Sequence, residues 1–312
     1  MTEKQRKLCL KLAEEAYEVV VNDLITDTSK WQKDKRVNNI FLSHYSPKNN
    51  KFNKLRFENY YWGVRPSEIF NIITTLKGRQ PWDTQSDDVR RLIEFDPPEG
   101  ANNLYVVYNH AKKILGGLVS QRYGHGCFIS KKLKDGTLIS AQQSIKDVTK
   151  VGVKKQKFSG QQTTTYPSGF ILKPMTRKEW NKLLKTEDGK QMTPDPLWKL
   201  EGDPDEIVGL KYDALIQLDI GGWFAAWQIN KFAARAFAQS LTELDNFIRG
   251  GYRKIQKRRR MKRKKRKEQE QKQKKKENEK EDEKENEKEK EKENENEKKE
   301  EKEKEEEKEK EN

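Results

Sequence analysis

Asp219-Ile220-Gly221-Gly222-Trp223-Phe224-Ala225-Ala226-Trp227 opens the stretch 219–252 on which the fold turns. The two glycines break any preceding strand. Beyond them Phe224, Trp227, Ala234, Phe237, Leu241, Leu244 and Ile248 recur at spacings of three, four and seven. That is one face of an α-helix of about seven turns. Gly250-Gly251 supply a stop signal. The spacing predicts a covering helix, its apolar face laid on a sheet.

Working outward, the residues before this helix predict that sheet. Residues 52–62 alternate around Phe52, Phe57, Tyr60 and Trp62. Segments 89–95, 104–110, 118–129, 137–148, 163–173 and 210–218 read as strands, with turns at Asn102-Asn103, Gly116-Gly117 and Asp135-Gly136. Pro66 suits a first helical position, ahead of an apolar stripe of Ile69, Phe70, Ile73 and Leu76. Residues 3–26 form an amphipathic helix with Leu12, Ala16, Val19, Val20 and Leu24 on one face. Its polar face is acidic, which fits packing better than membrane contact. Residues 31–50 and 185–208 read mainly as loop. A helix, many antiparallel strands and a long final helix make an α+β architecture.

Composition divides the chain. Residues 268–312 contain no apolar side chain and cannot offset their chain entropy. They net −7, residues 253–267 contribute +12 with no acid, and the first 252 residues carry +10 of the chain's +15. The expected organisation is an N-terminal helix and connector (1–50), one ligand-binding domain (51–252), a basic segment (253–267) and a Glu/Lys-rich tail (268–312). A basic surface favours anionic membranes or nucleic acid.

Little points to chemistry. Two cysteines, Cys9 and Cys127, make no disulfide framework and no zinc site. His44, His110 and His125 are the only histidines, and no nucleophile motif accompanies them. His125 and Cys127 share a strand face without orienting each other. Gly124-x-Gly126 precedes a strand, so it lacks a phosphate cradle's context. No catalytic residue, metal or cofactor is expected. No apolar run is long enough to span a membrane, and charged residues interrupt any signal-peptide core. The expectation is a cytoplasmic monomer with peripheral membrane association.

The motif Asp219-x-Gly221-Gly222-Trp223, followed by Trp227 and Asn230, resembles the opening of the last helix in the START (steroidogenic-acute-regulatory-related lipid transfer) domains. Ser168-Gly169-Phe170 and Trp82-Asp83 resemble further motifs of that family, and the likeness spans 52–252. It implies a helix-grip fold: a curved antiparallel sheet closed by the C-terminal helix over a tunnel for one lipid. Arg122 then matches the start of a family strand, but Tyr123 and Gly124 depart from it. Asn109 falls at the acidic cavity position of sterol-carrying members and Phe128 at their buried arginine. Loss of both charges puts sterol in doubt and favours phospholipid. The implied cavity residues are Asn109, Arg122, Phe128, Phe224, Trp227, Phe237, Leu241 and Leu244. The apolar turn around Ile114, Leu115 and Leu118 is the candidate membrane contact, with the glycine-flanked last helix as a gate. Three other readings stay open. One is a nucleic-acid or chromatin-associated protein acting through 253–267, which lacks aromatics for base stacking and is less favoured. The second is an enzyme on the same scaffold, and the third an interaction-only protein.

Overall fold

The computed structural model describes residues 2–34, 36–113, 120–154, 160–192, 198–221, 225–252 and 261. The chain divides into two units, Met1–Arg249 and Gly250–Asn312. The first holds every sheet strand.

Helix α1 (Glu3–Val21) starts at a reciprocal cap. The Thr2 hydroxyl accepts from Gln5 N, and Gln5 Oε1 accepts from Thr2 N at 2.8 Å. A short π-helical turn, Asn22–Thr26, continues it. Cys9, Ala13, Ala16 and Val20 form its buried face. These small side chains let the helix lie close on the sheet, against Leu104, Val106, Cys127, Ile129, Ile139, Ala141, Ile171 and Leu215.

The strands are β1 (Gln32–Lys33), β2 (Phe41–Tyr45), β3 (Lys54–Trp62), β4 (Ser86–Phe95), β5 (Asn103–Ala111), β6 (Arg122–Lys132), β7 (Leu138–Ser144), β8 (Gln161–Gln162), β9 (Thr164–Thr165), β10 (Ser168–Thr176), β11 (Ile207–Ile216) and β12 (Leu218–Asp219). The main sheet runs β1-β2-β3-β11-β10-β7-β6-β5-β4, antiparallel throughout, with β8 added parallel to β6. β9 and β12 form a separate pair. The β6–β7 hairpin turns at Gly136, whose φ of 85° is easy only for glycine. The Asp135 carboxylate steadies it by accepting from the Thr137 N–H and hydroxyl.

Side chains alternate across this sheet with period two. One face carries the α1 core. The other faces α2 (Pro66–Thr74) and α6 (Ala226–Asn246). Pro66 occupies the first turn of α2 as expected, and α3 (Leu76–Arg79) follows.

Two readings of the sequence need correction. The segment 185–208 is not all loop. α4 (Arg177–Leu184) lies just before it, α5 (Glu187–Lys190) lies inside it, and β11 begins at its end. α4 opens on a Thr176/Glu179 capping box and buries Trp180 against Trp62, Tyr60 and Trp198. The second correction concerns Gly250-Gly251, which do not stop the last helix. A π-helical turn, Phe247–Tyr252, runs through them. Ile248 and Arg249, both anchored in the first unit, hold the helical path up to these glycines.

The close α1 contact predicts intolerance to bulk. Ala16→Leu should destabilise the protein by about 1–3 kcal/mol, the usual cost of overpacking. Urea denaturation should show it, while Lys7→Leu on the exposed side of α1 should stay within about 0.5 kcal/mol of wild type.

Candidate functional site: the aromatic face under the last helix

The face away from α1 is built from alternate residues on six strands. Register places Tyr105 opposite Phe128 and Phe128 opposite Gln142. A parallel row runs through Ser130, Ser140, Phe170, Ala214 and Phe57. Aromatic rings dominate the surface. Tyr105 stacks on Phe128 at 4.4 Å, and Phe170 lies 6.0 Å from Tyr212. Phe70 of α2 reaches across β7 to both Phe128 (6.4 Å) and Phe170 (6.1 Å).

Helix α6 closes this face, and its ties show that the sheet curls around it. The Phe237 ring lies 6.0 Å from Phe57 on β3. Its neighbour in the helix, Ala236, accepts from Gln85 Nε2 at 3.1 Å, and Gln85 immediately precedes β4. In the sheet order β3 and β4 are six steps apart, roughly 29 Å if the sheet were flat. A single turn of a helix about 10–12 Å wide meets both only if the sheet wraps it.

Polar contacts fix α6 along its length. Asn230 accepts from Asn53 N (2.9 Å) and donates to the Lys51 carbonyl (3.2 Å). Glu243 accepts from the Thr84 N–H and hydroxyl. Deepest is the Asp245 carboxylate. It accepts from Asn59 Nδ2 (3.2 Å), Asn39 Nδ2 (3.3 Å) and Arg249 Nε (2.9 Å). Burial raises the hydroxyls of Tyr61 and Tyr212 beside this network well above the ordinary range, so both remain neutral donors.

The facing surfaces of helix and sheet are not fully buried. Phe70, Phe170, Phe237, Asn109 and Gln142 face this space and are only half-buried. A close-packed interior leaves no such surface. Apart from the Asp245–Arg249 pair, this face is mostly apolar with a few uncharged polar groups, the usual character of a small-molecule site.

The residues expected from sequence fall in three groups. Asn109, Phe128, Phe237, Leu241 and Leu244 lie on the facing surfaces of sheet and helix, though Leu244 is sealed at 0% exposure and acts as packing. Arg122 and Trp227 have other places. Arg122 is buried, but it donates to the Ile220 and Ser120 carbonyls and the Ser120 hydroxyl, so it braces the approach to α6. Trp227 is 67% exposed and points away from the sheet. The first turn of α6 is anchored by Ile229, packed with Phe52 and Ile220, and Ile229 lies about 200° around the helix from Trp227. Phe224, Ile114, Leu115 and Leu118 lie outside the described residues.

Sequence reasoning put Phe70 on the buried stripe of its helix but not on the aromatic wall, and it missed the inward roles of Phe170 and Tyr212 and the Asn59–Asp245 tie. Strand alternation could have placed the two strand aromatics on one face. Nothing local pairs Asn59 with a residue 186 positions away. Among the described residues no cluster of potential ligands could hold a metal ion, and no helix is long and apolar enough to cross a membrane.

This architecture, an α+β helix-grip with an open antiparallel sheet closed by a C-terminal helix, is that of the StAR-related lipid transfer domains. Human StAR-related lipid transfer protein 5 superposes with a TM-score of 0.57 at 15% identity, covering 78% of this chain and 97% of that one. Human STARD10 gives 0.50 at 10% identity, covering 75% and 80%. No protein-family model matches the sequence, and no curated protein does so either.

One outcome tests this site and a second tests the sheet face behind it. Leu244→Ala should cost about 2–5 kcal/mol, as for a sealed core leucine. Phe237→Ala should cost less despite its larger side chain, because part of its surface faces open space. Denaturation of both variants checks the order.

The second concerns His125, buried between Tyr108 and Tyr123 on the α1 face of the sheet. Desolvation lowers its imidazole from 6.5 to about 4. The folded state therefore refuses a proton that the unfolded chain accepts. Stability should fall as pH drops from 6.5 towards 4, by up to about 3 kcal/mol. His125→Gln should flatten the slope over that window in thermal melts.

Proposed function

We infer that this chain binds one lipid between the sheet and α6 and carries it between membranes. The observation that carries this reading is the incompletely filled aromatic space closed by a helix tied to both ends of the curled sheet. The shared helix-grip fold supports it, since human StAR-related lipid transfer protein 5, which has that fold, is by its name a lipid transfer protein. The chain does no covalent chemistry in this reading; its work is desolvation. A space lined by Phe70, Phe128, Phe170 and Phe237 shields acyl chains from water at about 25 cal/mol per Å² of apolar surface.

Release requires a door, and the ties of α6 bear on where it lies. Lifting the whole helix would break the bonds that Asn39 and Asn59 make to the Asp245 carboxylate, although Arg249 travels with it. Each buried polar group so orphaned costs about 1–3 kcal/mol. Movement is cheaper at the first turn, where the anchors are Ile229 and the uncharged contacts of Asn230. That turn also presents the membrane-facing surface. Trp227, Lys231 and Arg235 are exposed at successive intervals of four and form one outward stripe. A tryptophan beside two cations suits the interface of an anionic bilayer. The basic run 253–267 would add to the same attraction. With both cysteines free and buried, a reducing cytoplasm and a monomer complete the reading.

Transfer of a fluorescent lipid between donor and acceptor vesicles, with mass spectrometry of the lipid bound to purified protein, tests the function. A stoichiometric lipid and accelerated transfer are expected. Co-purifying nucleic acid with a steep salt dependence, and no lipid, would favour the basic segment as the functional part. For the docking face, Lys231→Ala with Arg235→Ala should weaken binding to anionic vesicles about 30-fold at low salt, at roughly 1 kcal/mol per basic residue. Sedimentation with vesicles reads this out. Unchanged binding would remove α6 as the docking surface.

A further inference from the structure

Two uncharged polar groups on the sheet face under α2, Ser140 and Gln142, make no hydrogen bond to a described residue. Ser140 on β7 is 1% exposed, and its hydroxyl has no hydrogen-bond partner among the described residues. Two positions along the same strand, on the same face, Gln142 is half-buried and its amide likewise bonds to no described residue. Its Oε1 lies 3.7 Å from the position a Cβ would take on Gly126, so the amide leans over a strand that carries no side chain there. Phe128 is level with Gln142 on one neighbouring strand, Phe170 is level with Ser140 on the other, and Phe70 covers both from α2. A hydroxyl and an amide thus sit side by side under three phenyl rings.

Buried polar groups are nearly always satisfied, and an orphan costs about 1–3 kcal/mol. The orphaned Ser140 hydroxyl, with the partly exposed Gln142 amide beside it on an apolar wall, fits a ligand that supplies the missing bonds. The charges near this space point the same way. Arg79 is paired with Asp83 at 2.8 Å, Arg249 with Asp245, and Arg91 with Glu94 at 2.9 Å. Arg122 is spent on backbone carbonyls and the Ser120 hydroxyl. None of these guanidinium groups is left to neutralise a phosphate, and an unpaired buried phosphate would be strongly disfavoured.

We propose that Ser140 and Gln142 form the polar end of the lipid site and that they select an uncharged acyl lipid bearing hydroxyl and carbonyl oxygens, such as a diacylglycerol. The serine hydroxyl and the glutamine N–H donate to the ester carbonyls, and Gln142 Oε1 accepts from the free hydroxyl. This rests on the lipid-carrying reading above and replaces the phospholipid preference drawn from sequence.

The test incubates the full chain, stripped of lipid, with vesicles of dioleoylphosphatidylcholine containing 5–10 mol% each of dioleoylglycerol and cholesterol, roughly dilute levels that leave the bilayer intact. The protein is re-isolated and its lipid quantified by mass spectrometry. Dioleoylglycerol near one per chain, enriched about tenfold or more over its share of the vesicle, is expected. Ser140→Ala and Gln142→Leu should each lower that enrichment by about 3- to 10-fold, the loss of one neutral hydrogen bond, while total lipid per chain holds. The thermal midpoint of lipid-free Ser140→Ala should equal or exceed wild type, because an orphan hydroxyl contributes no bond to the empty fold. Phosphatidylcholine or cholesterol at one per chain would overturn the headgroup assignment and leave lipid carrying intact. The same enrichment in both variants, or a clear fall in the Ser140→Ala midpoint, would also overturn it. A chain that takes up no lipid would overturn both readings.

Discussion

The Asp245 carboxylate fixes what the rest of the molecule can be. It is a buried anion on the underside of α6, and it is tolerable only because two asparagines and an arginine donate to it. Asn59 comes from β3, Asn39 from the turn before β2, and Arg249 from the next turn of the same helix. Meeting those donors sets the rotation of α6 and its height above β3. The apolar stripe alone would permit sliding. The charged, directional contact does not, and it places Phe237 over Phe57 and brings Ala236 within reach of Gln85.

The two faces of the sheet do different physical work. Under α1, small residues such as Cys9, Ala13 and Ala16 interlock with Val106, Cys127 and Ile129 at full burial. Nearer β3 the same face carries a charged lattice. Arg56 binds Asp213, and Lys211 bridges Glu58 and Asp213. Burial raises the Asp213 carboxyl even with Arg56 bonded to it, which marks how far that edge is removed from water. Beside it, Trp62, Trp180 and Trp198 pack edge to face under α4. This back face is closely packed, although the indole N–H groups of Trp180 and Trp198 find no hydrogen-bond partner among the described residues. The opposite face keeps half-buried phenyl rings and an orphaned serine hydroxyl. That asymmetry suits the lipid-binding role proposed above, with a close-packed shell behind and a less completely buried surface in front.

The structure gives the departures at Asn109 and Phe128 a physical meaning. Phe128 is stacked on Tyr105 and touched by Phe70, so it belongs to the aromatic wall. Asn109 stands on the same face opposite Gly124, four residues along β5 from Tyr105. The two are not neighbours, and no polar pair joins them. The uncharged polar groups lie instead on β7, where neither composition nor motif directed attention.

Much of this was legible in the sequence, and the boundary has a physical cause. Period-two and period-3.6 patterns reflect local backbone geometry, so α1, β3, α2, the Asp135-Gly136 hairpin and the length of α6 could be read from residues in order. The tail's composition excludes a packed core by the same kind of reasoning. Where a pattern serves several partners in turn, local reading failed. Trp227 shares a helical spacing with Phe237 and Leu241, yet Ile229 sets the first turn and leaves the tryptophan outside. Arg122 was placed by motif, but its carbonyl partners come from Ser120 and from Ile220, which is 98 residues away. Gly250-Gly251 read as a stop and were overruled by the anchored turn before them. The curl of the sheet, the Asp245 clamp and the Ser140–Gln142 pair are all products of contacts between distant segments. Side-chain periodicity is written along the chain; which buried polar groups find partners, and which wait for a ligand, is decided only when the strands are side by side.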